Sequence, residues 1–369
     1  MGKLLRKLKT ALSVLKDFGP REAVGLLGDN LSKFGFYFAR ALSGAINRAA
    51  GNVLLRLPRR GGMRILYVTT DFEAFHSQTV RYRVHNLRKA LRTKAETRFE
   101  VFEGGVYKNR ALIAWADLVV LMRTTYTKET GELIANANEL GRPVVFDIDD
   151  IIFLPDYAPD YCRVLGDTSE ENVEARGLEF EGFEKTFRLC DYATASTQFI
   201  ADIMAREGKR AYVVHNCLNG RQIRIGRRVS AHKKPQGVRA IGYLSGTKTH
   251  DRDFAKALPS LVRIAGEYPD VELRTAGYLD LSALPQPLAA RTRPACYMSW
   301  PRLMKYGAQS YLNIAPLDVD NPFCHAKSEL KFFEAAAAGV PTVASATDTY
   351  RRCIEDGENG LLASNDGEW

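Results

Sequence analysis

Apolar residues fall in two kinds of block along this chain, short continuous runs and longer stretches at helical spacing, and the two kinds alternate. Met63-Arg-Ile-Leu-Tyr-Val-Thr69, Asp117-Leu-Val-Val-Leu-Met122 and Pro143-Val-Val-Phe-Asp-Ile148 are apolar runs of strand length, as buried parallel strands require. Weaker strand signals fall at 98–102, 192–195 and 211–215, with helical patterns between them around 129–140 and 170–189. The alternation restarts at Arg239-Ala-Ile-Gly-Tyr-Leu244, passes a helix over 254–262, and continues with Val271-Glu-Leu-Arg-Thr-Ala276, 311–316 and 342–345. Strand–helix alternation in two successive sets predicts an α/β protein with two Rossmann-like, doubly wound parallel sheets. Ligands then bind at the carboxyl ends of the strands.

The boundaries follow from the same pattern. A helical arm is expected over 1–62, a first domain over 63–218, a basic polar connection over 219–235 and a second domain over 236–369. In the arm, Leu4, Leu5, Leu8, Leu12, Leu15 and Phe18 recur at helical spacing beside Lys3, Arg6, Lys7, Lys9 and Lys16. That is a basic amphipathic helix suited to a membrane surface, and the expected contact is through residues 1–20. Charges interrupt every apolar run before it could cross a bilayer, and no signal-peptide layout is present.

Charge changes the picture of partners. The net charge is +9, and residues 1–62 alone hold 12 Lys/Arg against 3 Asp/Glu, so the body is balanced. A neutral body argues against a nucleic-acid partner. Six cysteines at 162, 190, 217, 296, 324 and 353 show no paired spacing and read as reduced thiols of a cytoplasmic protein. With the arm, the expected location is peripheral, at the inner face of the cell membrane.

Candidate chemistry lies at predicted strand ends. Within 323–341 the pattern is polar turn, helix and Gly-Val-Pro, and Lys327, Lys331 and Glu334, at i, i+4 and i+7, share one helical face near the helix N-terminus. A helix start with lysines and Ser328 suits a diphosphate, and a carboxylate one turn on can accept from ribose hydroxyls. The same spacing is equally that of a solvated Lys–Glu pair. Ser245-Gly246-Thr247-Lys248 is a turn whose backbone N–H groups could face a phosphate, or an ordinary helix cap. In the first domain, His76, Arg81 and Arg83 follow the first strand and are candidate acceptor contacts. Asp147-Ile-Asp149-Asp150 ends another strand, and its carboxylates suit a divalent cation, helix caps or an acceptor hydroxyl.

Several of these segments together resemble retaining glycosyltransferases of family four (glycosyl transferases group 1). The residues carrying the resemblance are Gly242-Tyr-Leu-Ser-Gly-Thr-Lys248, Lys327-Ser-Glu-Leu-Lys331, Glu334-Ala-Ala-Ala-Ala-Gly-Val-Pro341 and Ile354-Glu-Asp-Gly-Glu-Asn-Gly-Leu-Leu362. The resemblance spans about 63–369 and implies the GT-B fold, two Rossmann-like domains facing a cleft. It implies a nucleoside-diphosphate sugar donor held by Ser245, Gly246, Thr247, Lys248, Lys327, Ser328, Lys331 and Glu334. It also implies a saccharide or lipid-linked acceptor near His76, Arg81, Arg83 and Asp150, with Glu334, His76 and Asp149 as catalytic candidates. No metal and no cofactor are expected beyond the donor itself, and the setting implied is cell-surface polysaccharide synthesis. Two positions depart from the family pattern: its first glutamate is Ala326 here, and its turn arginine is Tyr243. The family's closing helices are missing before Trp369, so the second domain reads as shortened at its end. The alternatives are a non-catalytic sugar-nucleotide-binding or scaffolding subunit, a sugar-nucleotide epimerase on the same double fold, and a metal-dependent single-domain transferase built on Asp147 and Asp149.

Overall fold

The computed structural model describes residues 62–69, 78–101, 106–231, 237–245 and 251–369. The basic arm, His76 and the turn residues Gly246, Thr247 and Lys248 lie outside these. The chain forms two compact units, one closing at Asn219 and taking in Asn321–Ser328, the other made of Gly220–Asp320 and Glu329–Trp369.

The first unit holds a six-stranded parallel sheet built from β1 (Met63–Thr69), β2 (Ala95–Val101), β3 (Leu118–Met122), β4 (Val144–Ile148), β5 (Tyr192–Ala195) and β6 (Arg210–Val213). The spatial order is β2-β1-β3-β4-β5-β6, so strand order reverses between β1 and β3. Leu66, Val68, Val119, Leu121, Val144 and Phe146 are fully enclosed, which is why these strands read as continuous apolar runs. Helices cover the sheet, and the entry of Lys128–Glu139 is fixed by Thr127 and Thr130, whose hydroxyls each accept the other's backbone N–H in a capping box.

The second unit holds another parallel six-stranded sheet of β7 (Arg239–Ser245), β8 (Val271–Gly277), β9 (Thr292–Ala295), β10 (Leu312–Ala315), β11 (Thr342–Ser345) and β12 (Leu361–Ala363). Its order, β12-β11-β10-β7-β8-β9, is the dinucleotide-fold order with the reversal between β7 and β10. Tyr243, Phe254, Leu261 and Leu273 lead its core. The two doubly wound sheets are the α/β class that the sequence predicts.

Three local readings change. The expected connection over 219–235 contains the helix Gly220–Ser230, with Gln222, Gly226 and Val229 buried. It packs on the helices Trp300–Gly307 and Leu330–Ala337, as part of the second unit. The helix expected to carry Lys327 near its start begins only at Leu330; Pro322–His325 is a separate short helix, and Lys327 lies in the break between it and Leu330–Ala337. Lys327 and Lys331 therefore do not share a helical face. The physical reason is that Asn321–Ser328 is bound into the first unit: Asn321 Nδ2 donates to Asp160 O at 2.9 Å, Phe323 packs on Tyr161, and Thr197 Oγ1 donates to Ala326 O at 3.4 Å. Third, the first helix of the body is π-wound over Arg81–Asn86, which widens the turn that carries Arg81 and Arg83.

Candidate functional site

Both sheets bring polar residues to their carboxyl ends, at or beside the strand-order reversals where ligands of doubly wound folds bind.

In the first unit, β4 delivers Asp147 and the turn after it delivers Asp149 and Asp150. Asp147 is enclosed. It accepts from Arg83 Nε at 3.1 Å and from Thr194 Oγ1 at 2.7 Å, while Arg83 Nη2 closes the bidentate pair. Arg83 also donates to Val214 O and to Asn216 Oδ1 at 3.4 Å. With no exposed surface, Arg83 is a fastening inside the unit and not a group presented to an acceptor. Burial works against the Arg83 charge, but Asp147 outweighs it and raises the guanidinium's pKa. Tyr67 lies beside this pair, and burial, then Asp147, push its hydroxyl up to about 12. Arg81 is half-buried and donates to Gln78 Oε1 at 2.8 Å.

Asp149 and Asp150 face cations. Arg123 Nη1 reaches Asp149 Oδ1 at 3.4 Å and Thr79 Oγ1 at 3.3 Å, and Arg123 Nη2 lies 3.7 Å from Asp150 Oδ2. Lys327 Nζ donates to Asp150 Oδ1 at 2.8 Å and sits over the Phe323 ring. Asn216 Nδ2 donates to Ser328 Oγ at 2.9 Å. Thus Lys327 and Ser328, read in sequence as donor contacts, are packed with the acceptor-side candidates of the first unit. Burial, reinforced by Asp150, raises the Asp149 pKa against the pull of Arg123.

Arg123 is a residue that the sequence reading passes over. Its φ of +46° puts a non-glycine residue in the left-handed region, directly after β3, with its N–H on Asp147 O at 2.7 Å. Such strain persists only where surrounding bonds hold it, and it concentrates at functional sites. The available signal was a basic residue immediately following an apolar strand.

In the second unit, Ser245 ends β7 and its hydroxyl donates to Tyr278 O at 2.7 Å. Gly277, at φ +98°, ends β8 beside Ser245, and a Cβ there would overlap Ser245 O, which requires glycine. Lys331 and Glu334 lie in the first two turns of Leu330–Ala337. Lys331 Nζ is 5.7 Å from the Tyr243 ring centroid, and Glu334 Oε1 accepts the Trp300 indole N–H at 2.7 Å. That bond fixes one oxygen of the carboxylate. Trp300 is 34 residues away in sequence, and no local spacing announces it. The helix stops at Gly339, whose positive φ lets the N–H groups of Gly339 and Val340 close onto Ala336 O and Ala335 O.

Residues 238–368 match the family model described as glycosyl transferases group 1. HepE of Anabaena, in complex with UDP and glucose, superimposes with a TM-score of 0.51 at 16% identity, over 83% of this chain and 87% of that one. Trehalose-6-phosphate synthase OtsA gives a TM-score of 0.50 at 9% identity, over 83% of this chain and 88% of that one. At such identities the likeness establishes the fold, the two-sheet GT-B architecture. No curated protein matches the chain in sequence. Among the described residues, no helix is long and apolar enough to cross a membrane.

Proposed function

We propose that this chain is a glycosyltransferase that moves a sugar from a nucleoside-diphosphate sugar to a saccharide or lipid-linked acceptor. The observation that carries the reading is the pair Lys331 and Glu334 at the start of one helix. It lies within the segment that matches glycosyl transferases group 1, and Trp300 holds the carboxylate in place. In this reading Glu334 accepts from the ribose of the donor. Lys331, with the first N–H groups of its helix, balances the charge that builds on the departing diphosphate. Lys248 and the Ser245-Gly246-Thr247 turn add donors to the same phosphate group. No metal is required for this step, because fixed cations and amides take that part.

The acceptor hydroxyl is taken at the first unit, near His76, Arg81, Asp149 and Asp150, with Asp149 receiving its proton. Arg83 contributes by holding Asp147. The family resemblance extends the reading to retention of anomeric configuration: the sugar–phosphate bond breaks and the acceptor oxygen bonds to the same face, without a nucleophile from the protein. The HepE complex makes a uridine nucleotide the first donor to try.

The test is turnover. The full chain is incubated with UDP-, GDP-, ADP- and dTDP-sugars plus short saccharide and polyprenol-linked acceptors, with EDTA present. Release of nucleoside diphosphate with a product of unchanged anomeric configuration supports the reading. Interconversion of the donor sugar without any acceptor points to an epimerase.

A further inference from the structure

The helix Gly220–Ser230 carries Arg221, Arg224, Arg227 and Arg228 and no acidic residue. At about 100° per residue, these four occupy an arc of about 120°, opposite the buried Gln222, Gly226 and Val229. All four are exposed. The helix Trp300–Gly307 packs beside it, buries Trp300 and Met304, and presents Arg302 and Lys305, again without an acidic residue. Among the described residues, Arg224, Arg227, Arg302 and Lys305 make no ion pair, although exposed cations elsewhere, such as Arg110, Arg188 and Arg239, do. Residues 63–369 hold 40 basic and 40 acidic residues; six of the basic ones are gathered here, leaving 34 against 40 elsewhere. The body is neutral in sum but polarised in space.

We infer that this two-helix surface docks on anionic lipid headgroups. Clustered Lys/Arg on a helix face adds attraction to an anionic bilayer with each charge that engages, and two engaged charges together are worth roughly thirtyfold in partition. Ile223, 38% exposed on the flank of the arginine arc, offers an aliphatic group to the headgroup boundary. Nucleic acid fits less well, because its grooves are read by an element that projects, and both of these helices lie packed on the body. The surface is independent of the proposed reaction and of residues 1–20.

The test is sedimentation of the full chain with vesicles of phosphatidylcholine alone and of equal phosphatidylcholine and phosphatidylglycerol. Wild type is expected to bind the mixed vesicles and leave the neutral ones. The variant R224Q/R227Q/R302Q/K305Q is expected to lose at least about tenfold in partition. A control with the same charge change elsewhere on the body, K89Q/R92Q/K94Q/R206Q, is expected to stay within about twofold. Equal losses in the two variants would reduce the effect to net charge and overturn the inference. So would undiminished binding by the first variant, absence of wild-type binding, or tighter retention of wild type on a random-sequence RNA than on mixed vesicles. Circular dichroism of both variants confirms folding, since Gln is nearly as good a helix former as Arg and Lys.

Discussion

Arg83 and Asp147 form a bidentate ion pair in the interior of the first unit, joining the π-wound turn of its first helix to the carboxyl end of β4. Removing one partner of such a pair strands the other charge, which typically costs about 3–5 kcal/mol. Arg83→Met is therefore expected to lower stability by that order in chemical denaturation. The double variant Arg83→Met/Asp147→Leu is expected to recover much of the loss, because apolar replacement of both charges removes the desolvation penalty. A single variant as stable as wild type would mean that the pair is not the fastening described.

Glycines on two helices separate packing from propensity. Gly226 lies where the helix Gly220–Ser230 meets Ala337, and a Cβ there would overlap Ala337 O. Gly226→Ala is expected to destabilise by about 1–3 kcal/mol. Gly177 lies mid-helix with nothing within 4 Å of an added Cβ, so Gly177→Ala is expected to stabilise by about 0.5–1 kcal/mol. Thermal or urea unfolding reads both signs.

Asp149 sets a pH dependence. Burial raises its folded pKa, so between the ordinary aspartate value and the raised one the folded chain binds more protons than the unfolded chain. Its contribution to stability therefore falls as pH rises through that window and is lowest above it. Asp149→Asn removes the titration, so its stability relative to wild type is expected to climb with pH across the window and then level off. Urea midpoints measured from acid to neutral pH would show a flat difference if burial did not perturb Asp149.

Much of the fold was legible from residues alone, and the reason is physical. Strands buried on both faces must be continuously apolar, so β1, β3 and β4 declare themselves. The ends of the donor segment were less so. Lys327-Ser-Glu-Leu-Lys331 has unbroken helical spacing, yet contacts from Asp150, Asn216 and Thr197 hold 326–328 out of the helix. Those partners are more than 100 residues away, and no window on the sequence contains them. The Arg-rich stretch after Asn219 read as a connection because its polar face dominates its composition. Only three buried positions, Gln222, Gly226 and Val229, anchor it as a helix, and just one of them is aliphatic. Arg123 and Trp300 act through long-range bonds and leave little local trace.

Cysteine reactivity offers an independent check on the packing. Cys190 is buried, and burial pushes its thiol up to about 12. In the native chain at mildly alkaline pH it is expected to resist iodoacetamide and to react fully only in denaturant. Mass spectrometry of labelled peptides reads this directly, and rapid native labelling would contradict the described core.

The most direct test of the central claim is nucleotide binding at Glu334. Isothermal titration of UDP and UDP-glucose, with GDP, ADP and dTDP counterparts and with EDTA throughout, is run on wild type, Glu334→Gln and Glu334→Ala. Gln retains an acceptor for the Trp300 N–H, whereas Ala leaves that buried donor unmet at a cost of about 1–3 kcal/mol. Wild type is expected to bind without a metal. Binding is expected to weaken in Glu334→Gln, where the charge-assisted bond to ribose is lost, and more strongly in Glu334→Ala, with the fold intact by circular dichroism. Wild-type binding that is unchanged in both variants would contradict the assignment of Glu334, and absence of binding to any nucleotide sugar would contradict the transferase reading itself.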